Sequence, residues 1–112
     1  NRLHARVGEA LGHMMEERGR RVAPSALKTL ALQANPTLGS AGTAAVFKGL
    51  TVDKGMTSLD VSGCNVDDES VMILCDALDS NAALTNLNLS ANGITDVGAA
   101  EIARSVATHP AL

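Results

Sequence analysis

Aromatic side chains are almost absent from this sequence: Phe47 is the only one among 112 residues, and there is no Trp or Tyr. Even so, 46% of the residues are apolar. A core without rings must be filled by Leu, Val, Ile, Ala, Met and Cys, which favours thin layers of aliphatic side chains. Because a chain of this length buries one modest core, we expect a single domain, or part of one, that is built by repetition.

Three other features are scarce or missing, and each excludes a class of protein. No apolar run approaches the roughly 20 residues that span a bilayer. Positive charge is not in excess: nine Lys and Arg face twelve Asp and Glu, and a net charge of −3 argues against binding nucleic acid or anionic membranes. Two cysteines are too few for a disulfide framework, so we expect a reducing, cytoplasmic location. Because the chain starts at Asn1 without a signal-peptide pattern, we expect a segment of a longer intracellular protein.

What the sequence does contain is a threefold repeat. The pattern L-x-x-L-x-L-x-x-N, with Met, Val or Cys at some positions, starts at Leu27, Met56 and Leu84, and Leu112 is placed to open a fourth unit. The starts are 29 and 28 residues apart, and each pattern is followed by apolar residues spaced by four. The first part predicts a short strand and the second an amphipathic helix.

Two kinds of small or polar residue recur at fixed places in the units. The ninth position is Asn35, Cys64 and Asn92, and we expect these side chains to form a buried ladder that bridges backbone groups of neighbouring turns. Near the start of each helix, Gly42 and Gly98 are expected to remove a side chain where the helix approaches the strand.

The last unit, LTNLNLSANGITDVGAAEIARSVATHPAL, resembles the ribonuclease-inhibitor-like class of leucine-rich repeats. The resemblance covers about residues 22–112. It implies an α/β fold, a right-handed solenoid with short parallel strands on the inner face and helices on the outer face. Such strands are buried under the helices that connect them.

The N-terminal segment departs from this pattern. Residues 1–22 carry apolar residues at helical spacing, but no strand motif precedes them. We expect a helix there, either a cap on the first strand or the outer helix of an upstream repeat, and we assign residues 23–112 to the leucine-rich repeats. The apolar positions of this helix are Leu3, Val7, Leu11, Met14, Met15 and Val22.

In this architecture the strand positions that point away from the core form the inner face, which is a candidate protein-binding surface. These side chains are small and polar, so the surface is either a hydrogen-bonding strip centred on Asp60 and Asn88 or a solvated spacer between binding repeats. The predicted binding residues are Lys28, Thr29, Gln33, Thr57, Ser58, Asp60, Ser62, Thr85, Asn86, Asn88 and Ser90.

The sequence carries no constellation typical of an enzyme. There is no phosphate-binding loop, nucleophile elbow or Ser/His/Asp grouping. His4 and His13 are nine residues apart, which does not place two ligands on one metal ion. Cys64 and Cys75 lack a CxxC pattern and are expected to fill the core. We therefore predict no catalytic residue, no metal site and no cofactor.

These observations favour a non-catalytic scaffold that binds a protein partner. The resemblance also implies two alternatives: a regulator of a small GTPase, similar to Ran-type activators, or a regulator of actin filaments, similar to tropomodulin and the capping-protein linkers. A third alternative is a structural cap or self-association module, because Leu112 has no matching strand and indicates an open C-terminal edge.

Overall fold

The computed structural model describes residues 5–20 and 28–112 of the chain. Leu27, the expected start of the first repeat, lies outside these residues, as do Leu3, Val22 and the predicted boundary between residues 22 and 23. The elements follow one another as α1 (Ala5–Arg20), β1 (Thr29–Ala31), α2 (Gly39–Leu50), β2 (Ser58–Asp60), α3 (Asp68–Ser80), β3 (Asn86–Asn88) and α4 (Asp96–Thr108).

The three strands form one parallel sheet in the order β1-β2-β3. Leu30 pairs with Leu59, and Leu59 with Leu87, which is the alignment that the 29- and 28-residue spacings predict. The extra residue of the first unit falls in a short 3-10 helix, Pro36–Leu38, between β1 and α2. An insertion at this place leaves the pairing of the strands unchanged.

The core lies between the sheet and the helices, and aliphatic side chains fill it. The middle unit is the most completely buried, since Leu59, Val61, Val66 and Leu74 are at most 1% exposed. Phe47 on α2 is fully buried in the same cluster. The single aromatic ring therefore belongs to the core rather than to any surface.

Helix α3 has a clear N-terminal signal. Asp67 is the cap, and its carboxylate accepts a hydrogen bond from the Ser70 amide at 2.9 Å. Asp68 and Glu69 add negative charge to the first turn, where the helix dipole favours it. In α4, Thr95 occupies the cap position, but its hydroxyl donates to Asp68 instead.

The role predicted for Gly42 and Gly98 was wrong. A Cβ at Gly42 would lie 2.9 Å from the Leu38 side chain and 3.1 Å from Cα of Ala5 on α1, and a Cβ at Gly98 would lie 2.3 Å from the Asp68 carboxylate. Neither contact involves a strand. These glycines make room for the preceding helix, because consecutive helices pack side by side along the stack.

Helices α1 and α2 are in backbone contact through glycine. A Cβ at Gly8 would lie 2.3 Å from the carbonyl oxygen of Gly42, and one at Gly12 would lie 2.1 Å from that of Ala45. Both distances are far below van der Waals contact, so only glycine fits. The close approach lets Met15 of α1 enter the core, where it is fully buried.

Candidate protein-binding surface

The predicted inner-face residues lie together along the sheet, on the side away from the core. Those of the first and third units are exposed, and those of the middle unit are half-buried. At equivalent positions of neighbouring strands, Ala31 pairs with Asp60, and Asp60 with Asn88. The two residues expected at the centre of the surface are therefore adjacent across the sheet.

Ser62, just after the end of β2, holds the Asp60 side chain in one conformation through two hydrogen bonds. Its Oδ1 accepts hydrogen bonds from the Ser62 amide at 3.0 Å and the Ser62 hydroxyl at 2.7 Å. The Ser62 hydroxyl, the Ser62 amide and the Asn88 side chain lower the pKa of Asp60, against the opposing effect of its slight burial. The carboxylate is consequently a fixed negative charge at neutral pH.

Asn88 repeats the same local structure one unit later. Its Oδ1 accepts from the Ser90 amide at 3.0 Å and the Ser90 hydroxyl at 2.6 Å. Between β2 and β3 there is a shallow depression of about 210 Å³, which Ser58, Leu59, Asp60, Asn86, Leu87 and Asn88 line. The inner face is thus a preorganised polar surface with one carboxylate near its centre.

The ninth position of the third unit bridges two units. Asn92 accepts from the amides of Cys64 and Val66, both at 2.9 Å, and donates to the carbonyl of Val61 at 3.0 Å, so one side chain joins two units. Asn35 donates to the carbonyl of Leu32.

Cys64 takes part in the same row. Its thiol donates to the carbonyl of Leu32 at 3.0 Å, across the boundary between the first and second units. Burial raises the pKa of Cys64, and of Cys75 as well, and both cysteines are free. These thiols therefore lack the exposure and low pKa of a reactive cysteine.

A second polar row, which the sequence analysis missed, follows the C-terminal ends of the helices. Asp53, Asn81 and His109 stand 28 residues apart, and all are buried. Each side chain accepts hydrogen bonds from the backbone amides of the residues two and three positions further along the chain. For Asn81 these are the amides of Ala83 and Leu84. Their common spacing was visible in the sequence, but three different residue types concealed their common role.

The second row also joins consecutive units. Asn81 donates to the carbonyls of Leu50 at 2.8 Å and Asp53 at 2.9 Å. His109 contacts the carbonyl of Asn81 through Nε2, while its Nδ1 accepts from Ala111 and Leu112. Because Nε2 faces a carbonyl and Nδ1 faces two N–H groups, the ring carries its proton on Nε2.

The third unit is less completely covered than the second. Leu87, Leu89, Ile94 and Ile102 are only partly buried, whereas the aligned residues of the second unit are almost fully buried. Leu112 also packs partly against the core, in the position that Met56 and Leu84 hold in their units. This edge of the stack exposes apolar surface.

A broader groove lies on the helical side of the molecule. It has a volume of about 680 Å³ and runs between α1 and α3, with Ala41, Ala44 and Ala45 of α2 along its floor. Glu9, His13, Glu16, Lys48 and Glu69 stand around it, so the groove carries charges of both signs.

The described part of the chain shows neither a group of metal ligands nor a helix that could span a membrane. Within residues 5–20 and 28–112, no three His, Cys, Asp or Glu side chains are grouped as metal ligands would be. None of the helices described is both long enough and apolar enough to cross a bilayer.

Comparison with known proteins supports the repeat architecture. The family model described as "Leucine Rich repeat" matches residues 56–75 and 80–103. No curated protein sequence matches the chain.

Solved structures resemble nearly the whole chain. One is described as "Leiomodin-1 Actin-Binding Site 2 (ABS2)"; it has a TM-score of 0.80 and 16% identity, over 92% of this chain and 57% of that one. Another is the tropomodulin C-terminal domain of Caenorhabditis elegans, with a TM-score of 0.77 and 15% identity, over 91% of this chain and 58% of that one. The chain thus spans less than three fifths of either structure, and the likeness confirms the α/β leucine-rich-repeat fold.

Proposed function

Because the chain is a leucine-rich-repeat protein of the ribonuclease-inhibitor-like kind, we propose that it is a non-catalytic scaffold that binds a protein partner through its inner face. The observation that carries this proposal is the continuous row of Asp60, Asn88 and their serine partners, fixed by hydrogen bonds before any partner arrives. Groups that are already ordered lose little conformational entropy on binding, so their polar contacts favour association. The free, buried Cys64 and Cys75 support an intracellular location.

Actin is the partner that we propose to test first. The support is structural: the two similar structures are an actin-binding site of leiomodin-1 and a tropomodulin domain. An extended, preorganised polar face suits the flat surface of a large protein better than a small molecule, since small molecules favour deep and mostly apolar pockets. The depression on the inner face is shallow and is lined mainly by polar residues.

The test compares two double variants of equal charge change. Asp60→Arg/Asn88→Arg alters the inner face, and Met72→Arg/Asp76→Arg alters exposed positions of α3 on the helical side. Binding to actin filaments is measured by co-sedimentation and binding to monomers by gel filtration. We expect the inner-face variant to weaken binding by at least about tenfold, the equivalent of 1.4 kcal/mol, and the control to bind as the wild type does. Equal loss in both variants would contradict an inner-face site, and absence of wild-type binding would remove actin as the partner.

We propose self-association through the C-terminal edge as a second function. The partial exposure of Leu87, Leu89 and Ile102 supports it, because apolar surface of this kind gains free energy when a second molecule covers it. Strand β3 also has no hydrogen-bonded neighbour on this side among the described residues.

Sedimentation velocity over a concentration series tests this second proposal. We expect the average mass to rise with concentration for the wild type and to stay monomeric for Leu87→Lys, which places a charge on the edge strand. Thr29→Lys, on the opposite edge strand β1, is the control and should associate as the wild type does. A wild-type monomer at every concentration would refute the proposal.

A further inference from the structure

We propose that the depression around Asp60 is a docking site for an arginine side chain of the protein partner. The inference rests on the proposed inner-face function and specifies the chemistry that the surface recognises. Its basis is a fixed negative charge that the described residues do not neutralise, in a depression lined by further polar residues.

Asp60 has no basic partner among the residues that the structure describes. Its hydrogen bonds come from uncharged groups, the Ser62 amide and hydroxyl and the Asn88 side chain, and an ion pair is found elsewhere, between Arg104 and Glu101. The side chains at the same level of the neighbouring strands are Ala31 and Asn88, which carry no charge. A cation supplied by a partner would therefore meet an ordered and unneutralised carboxylate.

The shape and chemistry of the depression favour a guanidinium over an ammonium group. The polar residues Ser58, Asp60, Asn86 and Asn88 line one concave space. A guanidinium presents five N–H donors in a planar fork, which can reach several acceptors at once, while an ammonium acts as a compact point charge. Leu59 and Leu87 complete the lining, but their side chains pack in or against the core, so the residues that offer side chains to the depression are polar.

The chain itself contains the control for a test of the charge. In the next unit, Asn88 makes the same two hydrogen bonds to Ser90 that Asp60 makes to Ser62. An Asp60→Asn variant therefore keeps the local structure and removes only the charge. Asp76→Asn, on the exposed side of α3, removes an equal charge away from the inner face.

The experiment is a nuclear magnetic resonance titration of the ¹⁵N-labelled chain in the presence of EDTA. The probe is Nα-acetyl-arginine methylamide; the citrulline analogue, in which a neutral urea replaces the guanidinium, and the lysine analogue are compared with it. We expect saturable shifts of the Asp60, Ser62 and Asn88 amides with the arginine probe. The Asp60→Asn variant and the citrulline probe should each weaken this binding by at least about tenfold, while Asp76→Asn leaves it unchanged.

Several results would overturn the inference. They are equal binding of the citrulline probe, equal binding of the lysine probe, unchanged affinity in Asp60→Asn, or shifts that lie outside the depression. Failure of this inference can be distinguished from failure of the proposed function. If Asp60→Asn binds the protein partner as the wild type does while Asp60→Arg/Asn88→Arg does not, the inner face binds without an arginine anchor, and only the present inference fails.

Discussion

At the scale of single residues, two rows of buried or half-buried polar side chains hold the units together. Asn92 bonds to backbone groups of both its own unit and the preceding one, and Asn81 does the same at the other end of the helices. An unpaired backbone group away from water is costly, and each of these side chains pairs several such groups at once. The rows are therefore places where a single substitution is costly.

The two asparagines of the third unit provide a direct comparison. We expect Asn92→Ala to lower the free energy of unfolding by about 1–3 kcal/mol, because the backbone groups of Cys64, Val66 and Val61 lose their partner. Asn88→Ala should cost less than about 0.5 kcal/mol, because its bonds to Ser90 are exposed to water. Urea unfolding followed by circular dichroism measures both. Equal costs would mean that the ladder position is assigned wrongly.

Asp67 makes the stability of the fold depend on pH. The Ser70 amide is the main group that lowers the pKa of Asp67, with the hydroxyls of Ser40 and Ser70 adding to it. The folded-state pKa therefore lies below the unfolded value of about 3.9, and the stabilisation is present above that value and is lost as the pH falls through the folded pKa.

Asp67→Asn tests this pH dependence, because the amide oxygen can still accept from Ser70 but does not titrate. We expect the wild type to lose unfolding free energy more steeply than the variant as the pH is lowered from about 5 to about 2. The measurement is urea unfolding at successive pH values. Parallel curves for the two proteins would show that Asp67 does not contribute.

At the scale of elements, the packing of α1 against α2 depends on two glycines that propensity alone would disfavour. Glycine in a helix interior costs about 1 kcal/mol relative to alanine, yet Gly8 and Gly12 lie where any Cβ would overlap a carbonyl of α2. The contact brings Met15 into the core and covers the α2 side of the first unit. Both a cap and the outer helix of an upstream repeat would pack on α2 in this way.

Gly12→Ala separates the two opposing effects. Helix propensity predicts a gain of about 1 kcal/mol, but the 2.1 Å approach to the Ala45 carbonyl forces the helices apart. We expect a net loss of about 1–3 kcal/mol, as is usual for an overpacked contact. Ala10→Leu enlarges an exposed residue of the same helix and should change stability by less than about 0.5 kcal/mol. A Gly12→Ala protein that is more stable than the wild type would contradict the close contact.

At the scale of the whole molecule, the sequence predicts the repeat and its alignment but not the contacts between units. The apolar spacing is enough to pair Leu30 with Leu59 and Leu59 with Leu87, because period and register are properties of the chain itself. The roles of Gly8 and Gly12 depend on where α2 lies in space, and no local pattern reports that distance.

Two other features of the structure could not be predicted from the sequence, because the repeat units use different residue types for the same role. Asp53, Asn81 and His109 accept equivalent backbone hydrogen bonds with three different types of side chain, so a comparison of the units for identical residues does not find them. Ala34, Gly63 and Ala91 share a left-handed backbone at the position before the ladder, with φ between 57° and 63°. Alanine rarely adopts this conformation, and only the glycine would have suggested it. The polar composition of the inner face was predictable from the sequence. The hydrogen bonds that fix Asp60 were not, because they depend on the turn after β2.

The parallel pairing of β1, β2 and β3 also determines how the molecule would respond to force. Hydrogen bonds between parallel strands point along the stack, so tension applied along that axis passes in series through every unit boundary. The boundary with the weakest packing separates first. Under tension the chain would lengthen stepwise, about one 28-residue unit at a time, as a graded extensible element rather than a rigid strut.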